Sequence, residues 1–134
     1  MQQTQARVMW NKNMGPLYYQ IGLECPDGYH RAQPGQFVMI HLIGQSDPLL
    51  GRPFSIHRLV RQANKTQGIE LLYKVVGEGT RRMAALRPGD ALDVLGPLGQ
   101  GFKIKADWQT IYMVAGGIGV APMIFLAEAI QGMG

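Results

Sequence analysis

Turn-forming residues cut most of this chain at short intervals, and that spacing limits what it can fold into. Gly15-Pro16, Pro26-Asp27-Gly28, Gln33-Pro34-Gly35-Gln36, Arg87-Pro88-Gly89-Asp90 and the glycine-dense run from Gly96 through Gly101 leave room for short extended segments and little helix. The segments between them are rich in β-branched and aromatic residues and read as strands: residues 5–13 (QARVMWNKN), 17–25 (LYYQIGLEC), 36–43 (QFVMIHLI), 53–61 (PFSIHRLVR), 69–76 (IELLYKVV) and 91–95 (ALDVL). A loop at 44–50 leads into the fourth of these, and a polar hairpin loop at 62–68 (QANKTQG) follows it. Before the sixth, Gly77-Glu78-Gly79-Thr80 precedes residues 81–86 (RRMAAL), which predict a short helix with Thr80 as N-cap. Six short strands and one short helix, over residues 1–104, predict a mainly β domain built as a small closed antiparallel barrel.

The texture changes after Lys103. Residues 110–115 (TIYMVA) form a near-continuous apolar run, the pattern of a strand buried on both faces. Gly116-Gly117-Ile118-Gly119 interrupts it, and residues 121–131 (APMIFLAEAIQ) have helix-forming composition. Strand, glycine turn and helix make the first half of a βαβ unit. One such strand with one helix cannot make a sheet. The expectation is therefore an α/β domain that begins near Asp107, occupies residues 107–134 and is incomplete, with the sequence a piece of a longer protein.

Composition narrows the function classes. Of 134 residues, 46% are hydrophobic and 16% charged, as in an ordinary globular chain. The net charge of +4 raises the question of nucleic acid. Yet Arg58, Arg61, Lys65, Lys74, Arg81, Arg82 and Arg87 are dispersed and form no phosphate-tracking stripe, which favours small anionic ligands. Cys25 is the only cysteine, so the chain has no disulfide framework and no four thiolates for an iron–sulfur cluster. His30 and His41 lack cysteine or carboxylate companions at ligand spacing, so no metal site is expected. No apolar run is long enough to cross a bilayer and no signal-peptide core is present. The expectation is a cytoplasmic setting without a membrane partner.

Three stretches hold residues suited to a ligand. In Gly51-Arg52-Pro53-Phe54-Ser55-Ile56-His57, a guanidinium, an aromatic ring and a hydroxyl fall within four residues. Strand alternation places Arg52 and Phe54 on one face and Pro53 and Ser55 on the other. Pro53 has no N–H for a ladder, so this strand should begin at a sheet edge or opening. The stretch suits a ligand anionic at one end and planar at the other, and it equally suits an ordinary strand entrance. Gly77-Glu78-Gly79-Thr80 lets backbone N–H groups approach an anion at a helix start, or simply turns the chain. Gly116-Gly117-Ile118-Gly119 lies where α/β folds hold a pyrophosphate, although it is not the G-x-G-x-x-G pattern; close packing alone would also explain it.

Taken in order, Arg52-Pro53-Phe54-Ser55, Gly77-Glu78-Gly79-Thr80, Gly96-Pro97-Leu98-Gly99 with Phe102, and Gly116-Gly117-Ile118-Gly119 with Pro122 resemble the motif set of the ferredoxin–NADP reductase family. Within it, the likeness is greatest to electron-transfer subunits of the NAD-dependent class of dihydroorotate dehydrogenase, carried by Asp93-Val94-Leu95-Gly96-Pro97-Leu98-Gly99 and Gly117-Ile118-Gly119-Val120. Subunits of cytoplasmic hydrogenases and NADPH-linked transhydrogenases are similar. The resemblance implies a six-stranded FAD-binding barrel followed by an NAD(P)-binding α/β domain. Arg52 would then bind the FAD pyrophosphate, with Pro53 keeping the edge open. Phe54 would lie against the isoalloxazine, and Ser55 would hydrogen-bond near flavin N5. Tyr73, Lys74 and Val75 would line the ribityl and ring. Gly79 and Thr80 would hold the pyrophosphate through backbone N–H and hydroxyl, and Gly116, Gly117 and Gly119 would floor the NAD(P) site.

His57, on the Ser55 face, would be a flavin-edge or structural residue. Electrons would pass between NAD(P)H, flavin and an iron–sulfur centre. The partner would be a catalytic flavoprotein subunit that oxidises dihydroorotate in pyrimidine biosynthesis, or another redox subunit. The family's four-cysteine stretch for a two-iron two-sulfur cluster has no counterpart here, so that cluster is expected only beyond this sequence. The competing class is a barrel that binds a ligand or nucleic acid without redox chemistry. It needs aromatics interleaved with basic residues on one sheet face, and Phe54 and Tyr73 are too few for that.

Overall fold

The computed structural model describes residues 2–25, 29–43, 51–114 and 116–132. The turn expected at 26–28, the loop at 44–50 and the end of the run at Ala115 lie outside the described residues. Six antiparallel strands close into a barrel: β1 (Gln2–Gly15), β2 (Tyr18–Glu24), β3 (Phe37–Leu42), β4 (Arg52–Gln62), β5 (Lys65–Lys74) and β6 (Ala91–Leu98). Their order around the barrel is β1-β2-β5-β4-β3-β6. A helix α1 (Glu78–Ala84) joins β5 to β6, and α2 (Met123–Gly132) follows a 3₁₀ turn at Gly117–Val120.

The barrel closes because one face of each strand is apolar. Ala6 and Val8, Ile21 and Leu23, Val38 and Ile40, Ile69 with Leu71 and Tyr73, and Leu92 with Val94 alternate inward and are buried. Each Val, Leu or Ile among them contributes about 1.5–3 kcal/mol by leaving water. Phe125 of α2 joins the same core, which seats α2 on the barrel wall. Between β1 and β2, Trp10 lies over Gly22, where an added Cβ would come within 2.3 Å of the indole. The indole Nε1–H donates to Glu70 Oε2 at 2.9 Å.

Asn11 ties α1 to the barrel. Its side-chain amide donates to the carbonyls of Met83 and Leu86, at 2.9 and 3.1 Å, and its carbonyl oxygen accepts from the Tyr73 hydroxyl at 3.0 Å. Carbonyls in and just beyond the last turn of α1 are thus held by a residue far away in sequence.

Three expectations are corrected. The β4–β5 hairpin is tight: Gln62 pairs with Lys65 around Ala63 and Asn64, both at positive φ, so β5 begins well before residue 69. Two such residues form the turn whose twist matches the strands. The N-cap of α1 is Gly77, three residues before Thr80. The Thr80 hydroxyl faces backwards and accepts from the N–H groups of Val76 and Gly77, at 2.8 and 3.1 Å. Finally, residues 110–114 form no strand, and Tyr112 and Val114 are 89% and 88% exposed. An apolar run becomes a buried strand only beside hydrogen-bonding neighbours, and among the described residues none pairs with it.

Candidate functional site

The site arises where β4 leaves a gap. Arg52, Pro53, Phe54 and Ser55 pair on one side with Ile40, Met39, Val38 and Phe37 of β3. On the other side, pairing with β5 begins only at Ile56. Pro53 therefore stands at an opening of the sheet, as its missing N–H requires. The gap widens into a cleft of about 470 Å³ lined by Arg52 through Ser55 from β4, by Tyr73 and Lys74 from β5, and by Thr80 from α1. Its far wall is the segment carrying Ile118, Gly119, Ala121 and Pro122.

One end of the cleft is cationic. The Arg52 side chain runs along the first turn of α1, where an added Cβ on Gly79 would stand 2.6 Å from Arg52 Nε. Only a glycine lets the guanidinium lie this close to the helix start. The N–H groups of that first turn have no intrahelical acceptors and carry the positive end of the helix dipole. Lys74 also lines the cleft, while its Nζ lies 5.7 Å from the centre of the Tyr18 ring, outside the lining.

The other end is aromatic. Phe54 meets Tyr73 edge-on, with ring centres 6.0 Å apart at 73°, and Tyr73 stacks on Tyr19 at 5.7 Å and 19°. Burial pushes the Tyr73 phenol up from its ordinary value, against the lowering effect of its hydrogen bond to Asn11. Tyr73 therefore acts as a neutral wall rather than as an acid or base. A guanidinium and free amides at one end, with rings at the other, fit a ligand that joins a phosphate to a flat heterocycle. The residues present thus fit a flavin nucleotide.

Of the residues singled out by sequence, Arg52, Pro53, Phe54, Ser55, Tyr73, Lys74, Thr80 and Gly119 line this one cleft, and Gly79 lies under Arg52. Val75 packs against the barrel core, with its N–H donating to the Leu17 carbonyl at 2.7 Å. Gly116 and Gly117 are exposed and are not among the lining residues. Sequence reasoning missed Leu72, Val76, Ile118 and Ala121, which also line the cleft. Leu72 could have been found from alternation with Lys74 along β5, whereas Val76 lies beyond the end of that strand. Ile118 and Ala121 belong to a segment whose approach to β4 has no local signal.

The chain is 38% identical over 123 residues to the electron transfer subunit of dihydroorotate dehydrogenase B (NAD(+)) from Desulforamulus reducens, covering 92% of this chain and 46% of that protein. The subunit of the same name from Enterococcus faecalis is 37% identical over 134 residues, with 98% and 49% covered. The chain thus spans about half the length of the curated relatives it matches. Among solved structures, an NADH-dependent reduced ferredoxin-NADP oxidoreductase superposes with a TM-score of 0.83 at 25% identity, over 96% of this chain and 45% of that one. A ferredoxin NADP+ reductase from Neisseria gonorrhoeae, solved with FAD and NADP bound, shares the fold with a TM-score of 0.69 at 20% identity, over 94% and 50%. No protein-family model matches the chain. Over nearly its whole length the chain is similar in sequence to about half of a dihydroorotate dehydrogenase B electron transfer subunit, and in fold to part of a ferredoxin-NADP oxidoreductase.

Proposed function

We propose that this chain is the FAD-binding part of an electron-transfer subunit that passes electrons between NAD(H) and an iron–sulfur centre, serving a catalytic subunit that oxidises dihydroorotate. What carries the reading is the convergence in one cleft of Arg52 against the Gly79 turn with the Phe54–Tyr73 ring pair. When bound, the flavin supplies the chemistry, taking two electrons as a hydride from a nicotinamide and releasing them singly. The chain itself binds, orients and shields.

Arg52 offers a planar fork of donors to two phosphate oxygens. The backbone N–H groups of Gly79 and Thr80 extend that cradle. The Thr80 hydroxyl, already engaged with Val76 and Gly77, holds the turn in shape. Phe54 and Tyr73 would hold the ring system between their edges, and the Ser55 hydroxyl would be available to hydrogen-bond it. Ile118, Ala121 and Pro122 cover the cleft from the far side and exclude water. Residues 107–134 begin the dinucleotide-binding domain in this reading, with Gly116, Gly117 and Gly119 on its pyrophosphate approach. No helix among the described residues is long and apolar enough to cross a membrane, and a cytoplasmic location accords with NADH as donor.

Colour is the direct test. The purified whole protein should be yellow, release FAD on denaturation and bleach on addition of NADH under nitrogen. A preparation that stays colourless in the presence of added FAD refutes the reading.

A further inference from the structure

We infer that His57 is a positioning residue: it grips the far wall of the cleft through its Nδ1–H and sets where a dinucleotide can approach the flavin. This rests on the reading of the cleft given above.

Residues alternate along β4 until the register slips. Ile56 pairs with Leu71 and Arg58 with Glu70, so two residues on β4 face one on β5 and the extra residue is His57. Such a bulge re-aims the side chain that it carries. Ile56 and His57 are consequently both buried, at 0% and 5% exposure, where regular alternation would have left one of them outside.

The re-aimed imidazole reaches across 64 positions of sequence. Its Nδ1 lies 2.6 Å from the carbonyl oxygen of Ala121. A carbonyl can only accept, so Nδ1 carries the proton. The other nitrogen, Nε2, lies 3.4 Å from the Gln20 side-chain amide nitrogen and 3.9 Å from Glu70 Oε1. With Nδ1 protonated, Nε2 is free to accept from Gln20. Glu70 is itself held by the Trp10 indole through its other oxygen. Gln20 of β2 thus holds the ring from the barrel side, with the Glu70 carboxylate of β5 beside it.

Ala121 lines the cleft together with Ile118, Gly119 and Pro122, opposite Arg52 and Phe54. Polar links join this segment and α2 to the barrel at His57–Ala121, deep and buried, and at Arg58–Glu128, at 4.0 Å and half exposed. The exposed ion pair contributes little. The buried hydrogen bond is the one that fixes distance across the cleft.

The test compares two polar replacements in the whole protein. His57→Asn keeps a donor near the Nδ1 position, whereas His57→Gln keeps the polarity but carries its donor farther out. Amide hydrogen exchange is read at Gly119, Ala121 and Leu126, which are bonded to the carbonyls of Gly116, Ile118 and Pro122. Losing one net hydrogen bond should speed exchange at these three amides by about threefold to tenfold in H57Q, and much less in H57N. Amides of β2 and β5 should not change in either variant. Flavin content should also stay constant, while the rate of flavin reduction by NADH falls in H57Q alone. Equal exchange in the two variants overturns the inference. If H57Q does not fold, His57→Ala takes its place in the same comparison. A wild-type protein without flavin refutes the functional reading instead, and the exchange contrast still decides the role of His57.

Discussion

Gly79→Ala separates fold from function by moving them in opposite directions. Gly79 is the second residue of α1, and its φ is not among the positive values. Alanine therefore fits the backbone, and at a helical position it stabilises by up to about 1 kcal/mol over glycine. That corresponds to a rise of about 4 °C in the melting temperature of the flavin-free protein. The added Cβ, however, would stand 2.6 Å from Arg52 Nε and 3.3 Å from its Cδ. Ordinary contact requires the arginine to retreat by about 1 Å. The guanidinium is the flexible partner, so it moves and the helix stays. A retreat of that size would break the charge-assisted hydrogen bond to phosphate proposed for Arg52, a contact of about 1.5–3 kcal/mol. FAD should then bind about tenfold to a hundredfold more weakly. Titration of the stripped protein with FAD, followed by flavin fluorescence, measures the loss, and calorimetry measures the melting temperature. Unchanged affinity, or affinity and melting temperature falling together, would refute the reasoning.

Arg52→Ala removes the same contact directly and should weaken FAD by a similar factor without lowering the flavin-free melting temperature, because Arg52 is exposed. Lys103→Ala, an exposed substitution outside the cleft lining, is the matched control and should leave FAD affinity unchanged. Asn11→Ala should destabilise by about 2 kcal/mol in urea melts, since it strips the Leu86 carbonyl and the Tyr73 hydroxyl of their partner and removes a second hydrogen bond to the Met83 carbonyl. Burial, assisted by Glu24, pushes the Cys25 thiol up from 9.0 to about 12. The native thiol should resist alkylating reagents at neutral pH and react only on unfolding. Because the folded value is the raised one, the unfolded chain loses its proton first. This stabilisation is complete below pH 9 and should fall away between about pH 9 and 12, by up to about 1.4 kcal/mol per pH unit. Urea melts of wild type and Cys25→Ala across that range measure the difference.

The barrel was legible because its information is local. Ala6 and Val8, Ile21 and Leu23, and Leu92 and Val94 show the inward face by simple alternation, and the turn residues mark where each strand stops. The near wall of the cleft was legible for the same reason: Arg52, Phe54 and Ser55 follow one another along a strand opened by Pro53. What escaped was set by contacts between distant positions. Nothing near Asn11 announces that it ends a helix some seventy residues later. Strict alternation put His57 beside Ser55, and only the pairing of β4 with β5 reveals the inserted residue. Thr80 matched an N-cap by type, yet its hydroxyl serves the turn behind it. In residues 110–114 the apolar composition was read correctly as wanting burial, but burial needs partner strands that composition cannot supply.

The placement of Trp10 has an optical consequence. The chain has two tryptophans, and the other, Trp108, is half exposed on the far segment. Trp10 instead rests on the bare face of Gly22 and gives its indole proton to the carboxylate that faces His57. Its emission should therefore register any change of charge or spacing in that buried cluster. Energy transfer from the same indole to a bound yellow chromophore would report occupancy of the cleft. The chain thus carries its own unlabelled observer, one hydrogen bond away from the carboxylate that faces His57.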